Sequence, residues 1–305
     1  MKNKILLTAI VTLCFFTTRA QQFALKFKNV EALQQFFQWS PERYPLISAH
    51  RGGPVAGFPE NAIETFANSL KHHPVIIECD VALSSDSVMV MMHDDKLDRT
   101  TNGSGPIGLK PYEELKKLQL KDNGGVLTSF HIPTLDQVLA WGKDKVVYTI
   151  DVKRGVPYQK IIEAVRKNKA ERYSVIITYS ATQAAEVHRL APEMMISASI
   201  RSAADLERLN QMGIPNNRIV AFVGTSSADA AVYELLHSKQ IWCILGTMGN
   251  LDKSAATNGD KLYKELIEKG ADILSSDRSF ESAEVLKKYS KEKNLRTKHL
   301  NEKIN

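Results

Sequence analysis

Two carboxylates, Glu78 and Asp80, stand two positions apart in the apolar run Val75-Ile76-Ile77-Glu78-Cys79-Asp80. On an extended strand such residues project from one face. Placed side by side in apolar surroundings they repel each other and lose hydration, unless a cation sits between them. Asp151 closes a second apolar run and can supply a third oxygen ligand. Three carboxylates with no Cys donor and few nearby His favour a hard divalent cation, Ca²⁺ or Mg²⁺, over Zn²⁺. The competing reading pairs one or more of these acids with Arg51 or Lys153. His50 and His93 are the acid–base candidates. A phosphodiester needs a base for the attacking hydroxyl or water and an acid for the departing alkoxide, and two imidazoles serve both near neutral pH. Arg51 and Lys153 can neutralise phosphate charge, the first through a planar fork and the second as a point charge. Asn61 has two readings, a hydrogen bond to a substrate oxygen or a cap on the helix that follows. His72, His73, His131, His188, His237 and His299 have no comparable company.

The elements that must position these side chains follow from pattern. Strands are expected at 46–50, 75–80, 146–151, 174–178, 194–198, 218–221, 241–245 and 272–275, several of them apolar on consecutive positions as strands buried on both faces are. Helical periodicity lies between most of them, at 62–71, 158–168, 182–190, 203–212 and 261–269. Eight such units in about 250 residues predict an α/β fold, a (β/α)₈ TIM barrel. A doubly wound sheet is the runner-up, but no Gly-rich phosphate fingerprint follows the first strand. A further strand at 88–92 is too close to its predecessor for a parallel crossover and must form an antiparallel hairpin. With paired residue numbers summing to roughly 173 by register geometry, His93 returns to the level of Asp80. The acids, both histidines and Lys153 then share the strands' C-terminal rim, where barrel enzymes keep their catalytic groups.

The remaining organisation is read as a signal peptide over 1–20, an N-terminal extension over 21–45, a barrel over 46–282 and a basic C-terminal tail over 283–305. Lys2 and Lys4 precede an apolar stretch, and Thr18-Arg19-Ala20 ends on a small residue, so cleavage before Gln21 and a periplasmic or extracellular location are expected. No later segment is apolar for long enough to span a bilayer, so stable membrane insertion is not expected. The extension carries an amphipathic helical pattern over 30–39, suited to closing the barrel's bottom. An insertion over 96–133, rich in Gly, Lys and Thr, is expected to shape the substrate site or cover it. Losing Lys2, Lys4 and Arg19 lowers the formal charge from +6 to +3, too weak a bias to argue for nucleic acid. Of three cysteines, Cys14 leaves with the signal, while Cys79 and Cys243 lie in apolar runs and are expected to be free and buried. Oligomeric state is not legible.

His50-Arg51-Gly52, Pro59-Glu60-Asn61, Glu78-x-Asp80, His93-Asp94, Asp151-x-Lys153, Trp242 and Ser276-Asp277, in that order, resemble the glycerophosphodiester phosphodiesterase family. The resemblance runs from Leu46 to Ser279. It implies a (β/α)₈ barrel that hydrolyses glycerophosphodiesters to an alcohol and glycerol 3-phosphate. It further implies Glu78, Asp80 and Asp151 as metal ligands, His50 and His93 as the acid–base pair, Arg51 and Lys153 as phosphate contacts, and Trp242 as a wall of the glycerol pocket. The chain departs from that pattern in three places. Asp151 stands where the family usually has Glu, the stretch after Trp242 is less polar, and Ser276-Asp277-Arg278-Ser279 lacks a proline often found there. These departures leave open a phosphoinositide, lysophospholipid or wall-polymer diester as substrate, with the same chemistry. A non-catalytic secreted binder of phosphate esters is the reading from another class.

Overall fold

The strand Val75–Leu83 is buried at eight of its nine positions, and its sequence VIIECDVAL shows why. Its outward side chains Ile77, Cys79 and Val81 join a large apolar cluster with Leu139, Ile161 and Val165 of the surrounding helices. Its inward side chains run from apolar Ile76 to acidic Glu78 and Asp80. Seven further parallel strands continue this construction. In spatial order they are Val147–Val152, Ser174–Thr178, Met195–Ser199, Ile219–Gly224, Cys243–Gly246, Ile273–Ser276 and Leu46–Ala49, and the last pairs back onto Val75–Leu83. The computed structural model describes residues 21–304, and this closed (β/α)₈ barrel is its centre. The segment 1–20 expected to be a signal, with Cys14, lies outside the described residues. Among the described residues no helix is long and apolar enough to cross a membrane.

The barrel's interior changes character along its axis. Near the strands' N-terminal ends Leu46, Ile76, Val147, Val175, Val220 and Ile273 form a dry layer. Two residues further on, as the pleat requires, the inward positions include Ser48, Glu78, Thr149, Ser197 and Ser275. The dry end is sealed by the helix Val30–Phe36, started by an Asn29 side chain that accepts from the Ala32 amide at 3.1 Å. The segment Gln21–Leu25 pairs antiparallel with Leu300–Ile304, so extension and tail form one small sheet. The tail boundary expected at 282/283 is corrected. It cuts the helix Ser279–Glu292, whose Leu286 and Tyr289 are buried against the barrel.

The hairpin strand Met89–Met91 pairs antiparallel with the end of Val75–Leu83, Val81 facing Met91 and Leu83 facing Met89. These numbers sum to one less than the expected 173. The Met92 amide donates to the Asp80 carbonyl at 3.0 Å, which brings His93 back to the rim. The insertion 96–133 carries a two-stranded sheet, Gln119–Lys121 with Leu127–His131. Its Leu97, Ile107, Leu115 and Leu120 pack with Ala62, Ala82 and Val90 into a separate small core beside the rim. Cys79 and Cys243 are free and buried.

Candidate active site

Glu78, Asp80 and Asp151 each offer an oxygen, and these atoms lie within 4.8 Å of one another. Strand pairing makes this unavoidable: Asp80 stands opposite Asp151 in the parallel register, and Glu78 opposite Thr149. Lys153 Nζ bridges two of the acids, 2.6 Å from Asp80 and 2.7 Å from Asp151. Burial lowers its affinity for a proton, but the two carboxylates outweigh burial and raise its pKa. Burial alone would raise Asp80, yet Lys153 and the Asn61 amide hold it below the ordinary value. Glu78 receives one hydrogen bond, from the Arg51 amide at 2.7 Å. Burial first, then the charge of Asp80, push its pKa up to about 8. Three buried carboxylates sharing one ammonium leave negative charge uncompensated, and an all-oxygen donor set fits a hard divalent cation.

Both histidines open into the same cavity of about 200 Å³ as the acids and Lys153. His50 Nδ1 lies 2.7 Å from Asp277 and His93 Nδ1 lies 2.7 Å from Asp94, which leaves each Nε2 for proton transfer. Burial depresses the basicity of His50, but the Asp277 hydrogen bond and the charges of Glu78 and Asp277 overcome it, and its pKa is raised. Asp94 is held far below the usual carboxylate range by Arg99, whose guanidinium also forks onto Glu60 at 2.8 Å.

Residues 50–253 match the glycerophosphoryl diester phosphodiesterase family. The chain belongs to that family. A glycerophosphodiester phosphodiesterase of Caldanaerobacter subterraneus subsp. tengcongensis is 32% identical over 158 residues, 50% of this chain and 65% of the relative. YhdW of Bacillus subtilis, described as a putative glycerophosphodiester phosphodiesterase, is 42% identical over 119 residues, 38% of this chain and 48% of the relative. These alignments thus span between about half and two thirds of the curated relatives' lengths. A crystal structure of a glycerophosphoryl diester phosphodiesterase from Parabacteroides distasonis superimposes with a TM-score of 0.84 at 32% identity, covering 92% of this chain and all of that one. The structure of an Oleispira antarctica phosphodiesterase, in complex with the product sn-glycerol-3-phosphate, shares the fold at 21% identity and a TM-score of 0.64, covering 80% of this chain and 97% of that one.

Within this family member, one residue expected at the site, Trp242, stands elsewhere, and two, Asn61 and Arg51, hold the site's acids without lining its cavity. Trp242 precedes the strand Cys243–Gly246 at its N-terminal end. It lies in the dry layer against Phe36 and Phe37, with ring centroids 5.2 and 5.5 Å away, and walls no part of the cavity. A strand's two ends open onto opposite faces of a barrel, and Trp242 is at the wrong one. Asn61 neither caps the next helix nor faces the cavity. It has a left-handed φ of 60°, donates to the Asp80 carboxylate at 2.7 Å and accepts from the Asp80 amide at 3.0 Å. Arg51 does not line the cavity either. Its guanidinium hydrogen-bonds Glu60 at 3.0 and 3.2 Å, and its Nε lies 4.0 Å from Asp80.

Other residues take the places left. Ile177, Tyr179, Phe222 and Met248 give the cavity its apolar wall. The Tyr179 hydroxyl donates to Asp151 at 2.7 Å, and burial followed by the Asp151 charge raises its pKa. Tyr179 follows directly on the strand Ser174–Thr178, and that rim position was the signal available for it. Asp277 was marked only as part of a motif, and its contact with His50 needed the closed barrel. A second cluster, His237, Cys243 and Asp272, sits at the other end. There Asp272 already accepts from Arg43 and the Cys243 amide and meets His237 at 3.0 Å, which makes it a structural clasp.

Proposed function

We propose that this chain hydrolyses glycerophosphodiesters to an alcohol and glycerol 3-phosphate with the help of a divalent cation held by Glu78, Asp80 and Asp151. The observation that carries the reading is the opening of His50 and His93 into one cavity with these acids and Lys153. Bound there, the cation supplies Lewis-acid polarisation of the phosphate's non-bridging oxygens. Lys153, between Asp80 and Asp151, adds a positive charge that attracts the anionic diester and steadies the charge developing on it. One histidine takes the nucleophile's proton at Nε2, and the other gives a proton to the departing alkoxide. Asp277 and Asp94, on the two Nδ1 atoms, fix the rings and stabilise whichever imidazolium forms. The cation set is all oxygen, so Ca²⁺ or Mg²⁺ suits it. The signal-like segment supports secretion to the periplasm or beyond.

Purified protein is expected to release glycerol 3-phosphate from glycerophosphocholine, with EDTA abolishing release and excess cation restoring it. His50→Ala is expected to lose roughly 10²- to 10⁴-fold in kcat, the usual worth of a general acid or base. Full activity in His50→Ala, or indifference to EDTA, overturns the mechanism.

A further inference from the structure

Beyond Tyr179 and Ser199, which line the catalytic cavity, the same two residues line a second cleft of about 530 Å³. Its other walls include Ser180, Thr182, Arg201, Arg208 and Met212. We infer that this cleft holds the variable alcohol of the substrate and selects diesters whose leaving group carries its own negative charge. The inference rests on the hydrolysis proposed above.

The direction follows from the cavity's shape. The portion inside the barrel ends on Ser48, Thr149, Ser197 and Ser275, a closed floor of hydroxyls suited to a glycerol of fixed size. The second cleft shares Tyr179 and Ser199 with this cavity, which gives a group that varies in size room to extend across them. There the charges are unequal. Asp205 is engaged by its own surroundings, accepting from the Arg201 amide at 3.0 Å and the Ser202 hydroxyl at 2.8 Å and meeting Arg208 at 3.6 Å. The Arg201 guanidinium has no ion-pair or hydrogen-bond partner among the described residues. Its Nε lies 3.6 Å from where a Cβ on Gly224 would stand, which sets it over the end of the neighbouring barrel strand and hence at the rim. The helix Ala181–Leu190 presents its first turn to the cleft through Ser180 and Thr182, with no acid there to offset its N-terminal dipole. A guanidinium at this place forks onto phosphate or carboxylate and repels a quaternary ammonium.

The test compares kcat/KM on three diesters at low ionic strength: bis(glycerophospho)glycerol, glycerophosphoglycerol and glycerophosphocholine, whose leaving groups are anionic, neutral and cationic. The anionic diester is expected to lead glycerophosphocholine by about tenfold, the scale of one charge-assisted hydrogen bond. Arg201→Ala should collapse that ratio, Arg201→Lys should keep most of it, and Arg201→Glu should invert it. The ratio should also shrink with added salt. A preference that is absent, or intact in Arg201→Ala, overturns the head-group assignment while leaving the hydrolysis standing. Should no diester turn over, the hydrolysis fails and calorimetric binding of the same compounds decides the cleft. Weaker binding of the anionic diester to Arg201→Ala supports the assignment, and unchanged binding overturns it.

Discussion

At the scale of single residues, the pairing of His50 with Asp277 decides how the site responds to pH. Asp277 raises the His50 pKa through a hydrogen bond and a negative charge, so Asp277→Asn should lower it. The limb of the pH–rate profile that belongs to His50 is then expected to move to lower pH, and kcat/KM to fall about 10- to 100-fold, the usual cost of losing an orienting partner. An NMR titration of the imidazole follows the same shift directly, and an unmoved midpoint contradicts the pairing. Asn61 makes a different prediction. Replacing it by Ala leaves the buried Asp80 amide without a partner and one Asp80 carboxylate oxygen with only the Arg51 Nε at 4.0 Å, at a cost of about 1–3 kcal/mol, to be measured by urea denaturation. What the sequence displayed at this scale was chemistry with a short period: Glu78 and Asp80 two apart on one strand. Asp277 and Tyr179 lie 227 and 28 positions from their partners, and only barrel closure makes them neighbours. Trp242 misled because residue type does not reveal which end of its strand faces the catalytic rim.

Among the elements, the hairpin and the insertion are joined to the site by one arginine. Arg99 holds Asp94 from the hairpin's end and Glu60 from the loop before the helix Ile63–His72, and Asp94 in turn holds His93. Arg99→Ala should free the turn that aims His93 while leaving Glu60 paired with Arg51. Since Arg99 is 47% exposed, the global cost is small, roughly 1 kcal/mol. The local effect is larger. Amide exchange is expected to quicken in residues 93–101 and kcat to fall more than KM rises, whereas unchanged exchange with normal kcat removes Arg99 from the positioning of His93. Element type was readable where the pattern was strong. Doubly buried strands announce themselves as apolar runs, and the short link between Val75–Leu83 and Met89–Met91 allows only a hairpin. The end of the barrel was misjudged because the helix Ser279–Glu292 exposes its lysines and hides Leu286 and Tyr289, so composition masked an amphipathic face.

For the whole molecule, one acid of the site, the buried Glu78, opposes folding once it ionises. Glu78 has its pKa raised from 4.5 to about 8, so the folded chain binds its proton more tightly than the unfolded chain does. Stability from that proton is complete below pH 4.5 and is lost as pH rises through about 8, since ∂ΔG/∂pH is negative wherever the folded state holds more protons. His50, with its pKa also raised, adds a loss of the same sign above its ordinary 6.5. His73 acts in the opposite sense. Burial lowers its pKa from 6.5 to about 4, and its contribution is lost as pH falls through that interval. A scan of melting temperature against pH in EDTA therefore mixes opposing trends, but His73 lies away from the acids, and its share cancels between cation-saturated and EDTA-treated samples. The proposed cation binds carboxylates and not carboxylic acids, so its stabilisation should appear as Glu78 ionises. At a hundredfold excess over Kd it amounts to about 2.7 kcal/mol. The difference in melting temperature between the two samples is expected to be small at pH 5 and to widen to several degrees by pH 8. Glu78→Gln should flatten it and make the EDTA sample more stable at pH 8 than the parent protein. A gap that does not grow with pH, or that survives in Glu78→Gln, would mean the cation's stabilisation does not depend on the Glu78 carboxylate.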